Sequence, residues 1–380
     1  MDKVRIGLIG SGFVSRIHLE ALRRVPAAEV VAVASPRGAE RFAAEQGISS
    51  WYSDYRTMLE RKDLDMVVLG LPNDLHCQAT LDAAAAGKHV VVEKPMALNL
   101  DEADRMIEAC RRAGVKLMYA EELCFAPKYV RLKQLVEEGA LGRVYLVKQS
   151  EKHDGPHSAW FWDVRRSGGG VAFDMGCHAI EFFRWMLGKP AAVDVYAQLG
   201  TYVHREKTEG DDNALIIVNF EGGATGVAEE SWSKPGGMDD RAEVYGSEGV
   251  AYADLLRGSS ILTYSQRGYG YAVEKAGETR GWSFTMFEEI WNYGFPQEFE
   301  HFVACVAEDR TPLETGEDGR AVLEILLAAY ASAREGRRIA LPYRPAARAP
   351  YQLWKDLDGE RARDGGRPPQ GRESAANRRG

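Results

Sequence analysis

Val4-Arg5-Ile6-Gly7-Leu8-Ile9-Gly10-Ser11-Gly12-Phe13-Val14-Ser15 reads as a short apolar strand that passes through a glycine turn into the first turn of a helix. Each position in the turn has a physical reason. Gly10 permits the tight reversal, Gly12 lets a phosphate approach the backbone, and Ser15 is small enough for the helix to pack against the strand. Free N–H groups and the helix dipole favour an anion at this end, so Gly10, Gly12, Phe13 and Val14 are candidate ligands of a dinucleotide. A glycine turn alone is a weak signal, and its weight comes from the pattern around it.

That pattern alternates short runs rich in Val and Ile, at Val4–Ile9, 30–34, Met66–Leu69, 90–92 and 116–119, with amphipathic segments. Near-continuous apolar runs are expected of parallel strands covered by helices on both faces, so residues 1–122 read as successive βαβ units of a Rossmann-type domain. After Asn99, Glu102 occupies the N3 position of a capping box, Ala103, Met106, Ile107 and Cys110 share one face, and Gly114 stops the helix. From about residue 123 the texture changes. Segments 144–147, 193–198, 214–220, 224–229, 242–245 and 261–264 read as strands between Gly- and Asp-containing turns, several alternating apolar with polar. The expectation for 123–345 is therefore an α/β domain with an open, mostly antiparallel sheet, with helices near 297–307 and 319–334. The tail, 346–380, is rich in Arg and Gly and is expected to be partly disordered, with Tyr351 and Trp354 as its anchors.

A chain of 380 residues, 45% hydrophobic and 27% charged, is globular and longer than one core usually organises. With 48 Lys and Arg against 56 Asp and Glu, its net charge of -8 gives no overall attraction to phosphate backbones or anionic lipid, so neither nucleic acid nor membrane is an expected partner. Five scattered cysteines without a C-x-x-C pair fit reduced thiols, and no signal-like or membrane-length apolar stretch is visible, so a cytoplasmic location is expected.

Further motifs carry chemistry. The second apolar run ends at Ser35-Pro36-Arg37, where a protein committed to NAD usually shows an acid for the ribose 2′-hydroxyl; Ser35 and Arg37 instead suit a 2′-phosphate, which marginally favours NADP. Leu71-Pro72-Asn73-Asp74-Leu75-His76 follows the run at Met66–Leu69, Glu93-Lys94-Pro95 follows the next, and Gly168-Gly169-Gly170-Val171-Ala172-Phe173-Asp174-Met175-Gly176-Cys177-His178 comes later. Together with the glycine turn these motifs resemble the glucose-fructose oxidoreductase/inositol dehydrogenase (Gfo/Idh/MocA) family over about residues 4–345. The resemblance implies a Rossmann domain joined to a C-terminal α/β domain, and redox chemistry with NAD(P) on sugars, cyclitols and related alcohols. It further implies Lys94 as ligand of the reacting hydroxyl and the cofactor, Asp174 as a substrate ligand that orients the pair, and His178 as proton acceptor and donor, although members differ over whether Lys or His carries the proton. It places Leu71, Pro72, Asn73 and His76 on the nicotinamide side, with Glu93 orienting backbone there and Pro95 after a cis bond; for His76 a helix-terminal position without ligand contact is equally open.

Chemistry agrees with these roles, because hydride transfer from a secondary alcohol needs a group to take the hydroxyl proton and a cation to stabilise the alkoxide. Lys94 beside a positively charged nicotinamide is expected to have a lowered pKa, and Asp174 lies one turn before His178 if the chain is helical from Gly170. A second cluster, Glu151-Lys152-His153-Asp154-Gly155-Pro156-His157-Ser158-Ala159-Trp160-Phe161-Trp162-Asp163, offers His153, His157 and Trp162 to a polyol's hydroxyls and C–H face. Gly155-Pro156 breaks the helix that a His153–His157 metal pair would need, so no metal is expected. Arg165 and Arg166 read as a solvated face or as contacts to a substrate anion, and Asp211-Asp212-Asn213 as a turn. The leading function is an oxidoreductase of a sugar, glycoside or cyclitol. The alternatives are a redox-assisted glycoside-cleaving enzyme with tightly bound NAD and a non-catalytic dinucleotide-binding sensor or subunit, against which the intact Lys94, Asp174 and His178 argue. An uncovered sheet face in the second domain implies a homodimer or homotetramer.

Overall fold

The apolar runs of the first part are covered on both sides and form a six-stranded, wholly parallel sheet. Its strands are β1 (Val4–Ile9), β2 (Ala28–Ala34), β3 (Ser50–Tyr52), β4 (Met66–Leu69), β5 (His89–Glu93) and β6 (Leu117–Ala120), in the order β3-β2-β1-β4-β5-β6. This computed structural model describes residues 3–256, 260–265, 281–286, 288–346 and 348–355. Strand β3 was not legible in the apolar pattern because it is three half-exposed residues at the sheet edge. The strand order reverses between β1 and β4, and at that switch Gly10 adopts φ +121° against the start of the loop after β4, where a Cβ would lie 2.2 Å from the Gly70 carbonyl oxygen. Only glycine fits there. The helix Leu100–Ala113 starts at Asn99, whose side chain accepts from the Glu102 N–H at 3.0 Å, and stops at left-handed Gly114.

The second sheet contains β7 (Val144–Lys152), β8 (Ala192–Gly200), β9 (Asn213–Phe220), β10 (Thr225–Ser231), β11 (Asp239–Gly246), β12 (Val250–Asp254) and the short β15 (Ile339–Ala340), in the order β12-β11-β7-β10-β9-β8-β15. A separate hairpin pairs β13 (Ser260–Ser265) with β14 (Gly281–Met286). Every neighbour in the larger sheet is antiparallel except the parallel pair β7–β10. Strand β7 runs five residues beyond its apolar part, because Gln149, Ser150 and Glu151 are polar yet buried. The helices Gly176–Leu187 and Gly316–Glu335 cover one face, and the second of them also packs on Leu100–Ala113, tying the two sheets together.

Between Gly170 and His178 the chain is not one helix. It forms Val171–Asp174, breaks at Met175, and resumes as Gly176–Leu187. The segment is held by Asp211, which is fully buried and accepts from the N–H groups of Gly170 (3.1 Å) and Ala172 (2.7 Å) and from the Tyr330 hydroxyl (2.5 Å). Asp211 is thus an anchor of the glycine segment and more than a turn former. The tail helix Pro350–Trp354 docks behind the same segment, with Tyr351 buried and its N–H bonded to the Gly168 carbonyl at 2.9 Å; residues 356–380 lie outside the described residues. All five cysteines are buried and unpaired, and among the described residues no helix is long and apolar enough to cross a membrane.

Gly170 is needed for this approach, since a Cβ there would lie 1.8 Å from the Asp211 carbonyl oxygen. Gly170→Ala is therefore expected to lower stability by at least about 1–3 kcal/mol, the usual cost of overpacking, in urea denaturation. An unchanged midpoint would show that the segment can shift.

Candidate active site

A cavity of about 600 Å³ begins at the glycine turn and ends between the two sheets. Its first end is lined by Gly10, Gly12, Phe13 and Val14, with Arg16, Arg37 and Arg41 around them. The helix that starts at Phe13 has no side-chain cap and no acid in its first turn, and the Cβ position of Gly12 meets nothing within 4 Å. Open N–H groups and open space at a helix N-terminus fit a pyrophosphate. Ser35 and Ser11 both donate to the Arg37 carbonyl, at 2.9 and 3.2 Å, which shapes a turn whose exposed Arg37 side chain borders the cavity.

The other end gathers Lys94, Asp174 and His178 from separate elements. Lys94 follows β5, and its ammonium donates to both the Asp174 carboxylate and the Asp174 carbonyl, each at 3.1 Å. The second carboxylate oxygen of Asp174 accepts from the Trp232 indole N–H at 3.2 Å. Burial alone would lower the Lys94 pKa, but the charge of Asp174, followed by Cys177, Glu122 and Glu151, outweighs it and raises the pKa well above the ordinary value. The depressed pKa expected for Lys94 belongs to a site holding a nicotinamide cation; the protein's own acidic neighbours act in the opposite direction. His178 moves the other way, to about 4, through burial and then the nearby Lys94 charge, so its ring is neutral around pH 7.

Sequence reasoning missed the partner of that ring. Glu121 follows β6 and is fully buried, with one oxygen 2.6 Å from His178 Nδ1, while Glu122 stands 3.9 Å from Nε2. Desolvation pushes both carboxyls up to about 8. The available signal was position, because Glu121-Glu122 stands at the carboxyl end of a parallel strand, where ligands of such sheets bind. Glu93 accepts from His18 at 2.7 Å, if the ring carries the proton, and from the Lys94 backbone N–H at 3.1 Å, and the Lys94–Pro95 bond is cis.

Other candidates are placed differently. Leu71, Pro72 and Asn73 line the cavity, and the Asn73 amide also donates to the Ser167 carbonyl at 2.7 Å, which joins the two halves. His76 lies beneath the wall, fully buried, with its ring nitrogens 3.0 and 3.1 Å from the carbonyls of Leu71 and Pro95. His153 is also fully buried and outside the lining, whereas His157 lines the cavity 4.8 Å from the Phe13 ring. Trp162 turns away, onto His204 and Trp232, and the aromatic surface offered to the cavity is instead the stacked pair Trp160 and Phe161. Arg166 borders the cavity and pairs with Asp74, while Arg165 reaches Glu209 at 4.0 Å.

A six-stranded parallel sheet with a glycine turn at its strand-order switch, opening onto a Lys, Asp and His cluster, points to an NAD-binding oxidoreductase acting on CH–OH groups, and comparison with known proteins agrees. Residues 4–121 match the oxidoreductase family with an NAD-binding Rossmann fold, and residues 129–252 match the GFO/IDH/MocA C-terminal domain. The chain belongs to the Gfo/Idh/MocA family. It is 29% identical over 343 residues to myo-inositol 2-dehydrogenase of Thermotoga maritima, covering 89% of this chain and 98% of that protein. It is 30% identical over 348 residues to scyllo-inositol 2-dehydrogenase (NAD(+)) of Bacillus subtilis, covering 90% and 98%. Among solved structures it resembles GenD2 from gentamicin A biosynthesis, in complex with NAD, at 31% identity and a TM-score of 0.84, with 90% of this chain and 97% of that one covered.

The Glu121–His178 pair makes a spectroscopic prediction. With its pKa near 4, His178 stays neutral from pH 5 upward; below about pH 8 Glu121 keeps its proton and donates to Nδ1, and above it the ionised carboxylate accepts from Nδ1–H. The ¹⁵N shifts of His178, assigned with His178→Asn, are expected to show a change of tautomer near pH 8 and no imidazolium at pH 6.

Proposed function

We propose that the protein transfers a hydride between NAD(P) and a secondary alcohol of a sugar, glycoside or cyclitol. The observation that carries this reading is that Lys94, paired with Asp174, and His178, paired with Glu121, line the same cavity as the glycine turn. In the oxidative direction, above about pH 8 where Glu121 is ionised and holds Nδ1–H, His178 Nε2 takes the hydroxyl proton, and Lys94 stabilises the alkoxide as it forms. Asp174 keeps Lys94 charged and aimed. NAD(P), when bound, supplies the hydride acceptor. The inositol dehydrogenases among the relatives support a polyhydroxylated ring as substrate, and Trp160 with Phe161 provides an apolar surface for its C–H face.

For the cofactor, Ser35 and Arg37 line the cavity near the glycine turn with no acid among the lining residues there, while Arg41 pairs with Glu45 at 3.6 Å; this suits NADP as well as NAD. The second sheet carries exposed Tyr145, Val193, Leu215 and Tyr252, and a dimer or tetramer built on that sheet is part of the same reading.

A screen of sugars and inositols with each cofactor, read by reduced nicotinamide absorbance, tests the function. On the substrate so found, His178→Ala is expected to lower kcat by about 10²- to 10⁴-fold while cofactor affinity changes little. A near-native kcat would place the proton acceptor elsewhere. Arg37→Ala is expected to weaken NADP by about 1–3 kcal/mol and leave NAD nearly unaffected; equal losses would remove the 2′-phosphate assignment.

A further inference from the structure

The substrate end of the cavity carries more carboxylate than its own cations answer. Glu151 on β7 is in register with Glu230 on β10 and with Asp240 on β11, so three buried acids stand side by side across the inner face of the sheet. Like charges directly opposite one another repel, and few strands tolerate such a row without a compensating group. Asp240 is held by the Tyr129 hydroxyl at 2.6 Å and by Gln149 at 3.3 Å, and Glu230 accepts from the Glu151 backbone N–H at 3.1 Å. The Glu151 side chain is only 3% exposed, has one oxygen without any partner among the described residues, and is the member of the row that lines the cavity. Glu122 lines it too.

The positive groups nearby are already engaged. Lys94 is paired with Asp174, and the Arg166 guanidinium on the cavity border with Asp74. Burial favours the protonated form of Glu122 and Glu151, and a cation in the cavity beside them would favour the ionised one. A metal ion is not the natural answer. The described residues hold two groups of acids, Cys and His whose ligand atoms converge within 4.8 Å, and neither includes Glu122 or Glu151. Carboxyl groups that share a cavity lining with the stacked Trp160–Phe161 pair fit a cation carried on a larger ring.

We propose that the alcohol this protein oxidises sits on an amino-substituted ring, an amino sugar or aminocyclitol, whose ammonium is received by Glu151 with Glu122 beside it. The inference rests on the dehydrogenase reading above and narrows its substrate class. Burial holds both carboxyls above their ordinary pKa, and an ammonium between them supplies the charge that lets them ionise. A hydroxyl can donate one hydrogen bond to the partnerless Glu151 oxygen, whereas an ammonium donates and also brings the charge that favours its ionised form.

Calorimetry on the full chain saturated with NADH measures binding without turnover. The probes are matched pairs: methyl α-D-glucopyranoside against its 2-amino, 3-amino and 6-amino deoxy counterparts, and scyllo-inositol against its monoamine, with 2-deoxystreptamine as a diamine. At least one amine is expected to bind about tenfold or more tightly than its hydroxyl twin, as a charge-assisted contact allows. That advantage should shrink to about threefold or less in Glu151→Gln, whose NADH affinity reports that it has folded. Amines that bind no better than their twins, a preference untouched by Glu151→Gln, or Glu151-dependent binding of Mg²⁺ or Ca²⁺ alone would each overturn the proposal. Turnover separates the two claims. Neutral polyols oxidised with no preference for amines sink this inference and keep the dehydrogenase reading, whereas an amine bound through Glu151 but never oxidised with either cofactor keeps the ammonium site and sinks that reading.

Discussion

The ion pair between Lys94 and Asp174 joins the carboxyl end of a parallel strand to the broken helix of the second sheet, and the site is assembled around it. An ammonium removed from water keeps its proton only beside a negative charge, so Lys94 needs Asp174, and Asp174 needs its own placement fixed. Trp232 fixes one side by its indole N–H, and Gly170, four residues before Asp174, fixes the other by fitting against Asp211. Residues far apart in sequence are thereby brought to one cavity wall. In the reaction we propose, Lys94 stabilises the alkoxide and His178 takes the proton, so the two do not compete for one proton.

Charge is also graded along the cavity. Arginines surround the glycine turn, whereas carboxylates dominate the end between the sheets. A dinucleotide entering with its phosphates toward the arginines is oriented by that gradient before any specific contact forms. The same gradient has a structural cost, since the buried Glu151 in the cavity wall retains an oxygen with no partner among the described residues. Groups that cost stability and face a ligand cavity are where function and folding pull in different directions.

Local signals made much of this readable. The periodicity of Val4–Ile9 and Met66–Leu69, the Asn99–Glu102 cap and the Gly114 stop are encoded within a few residues each, and the strands and helix fall where those residues put them. Lys94, Asp174 and His178 were reachable through motifs and a family resemblance, and the structure brings them to one cavity. What escaped depends on tertiary packing. Glu121 and Glu151 look like ordinary polar residues until a sheet buries them, and Asp211 looks like a turn until Gly170 is packed against it. His76, His153 and Trp162 had suitable chemistry, but nothing local told which way each side chain would point; the cavity received Trp160 and Phe161 instead of Trp162.

The most direct test is a crystal structure of the dead-end complex with NADH and the alcohol found by the substrate screen. The account predicts one carbinol oxygen within about 3 Å of both Lys94 Nζ and His178 Nε2, hydrogen-bond reach for a general base, with its carbon facing the nicotinamide. An alcohol whose reacting oxygen touches neither group, or a nicotinamide ring bound away from this end of the cavity, would contradict it.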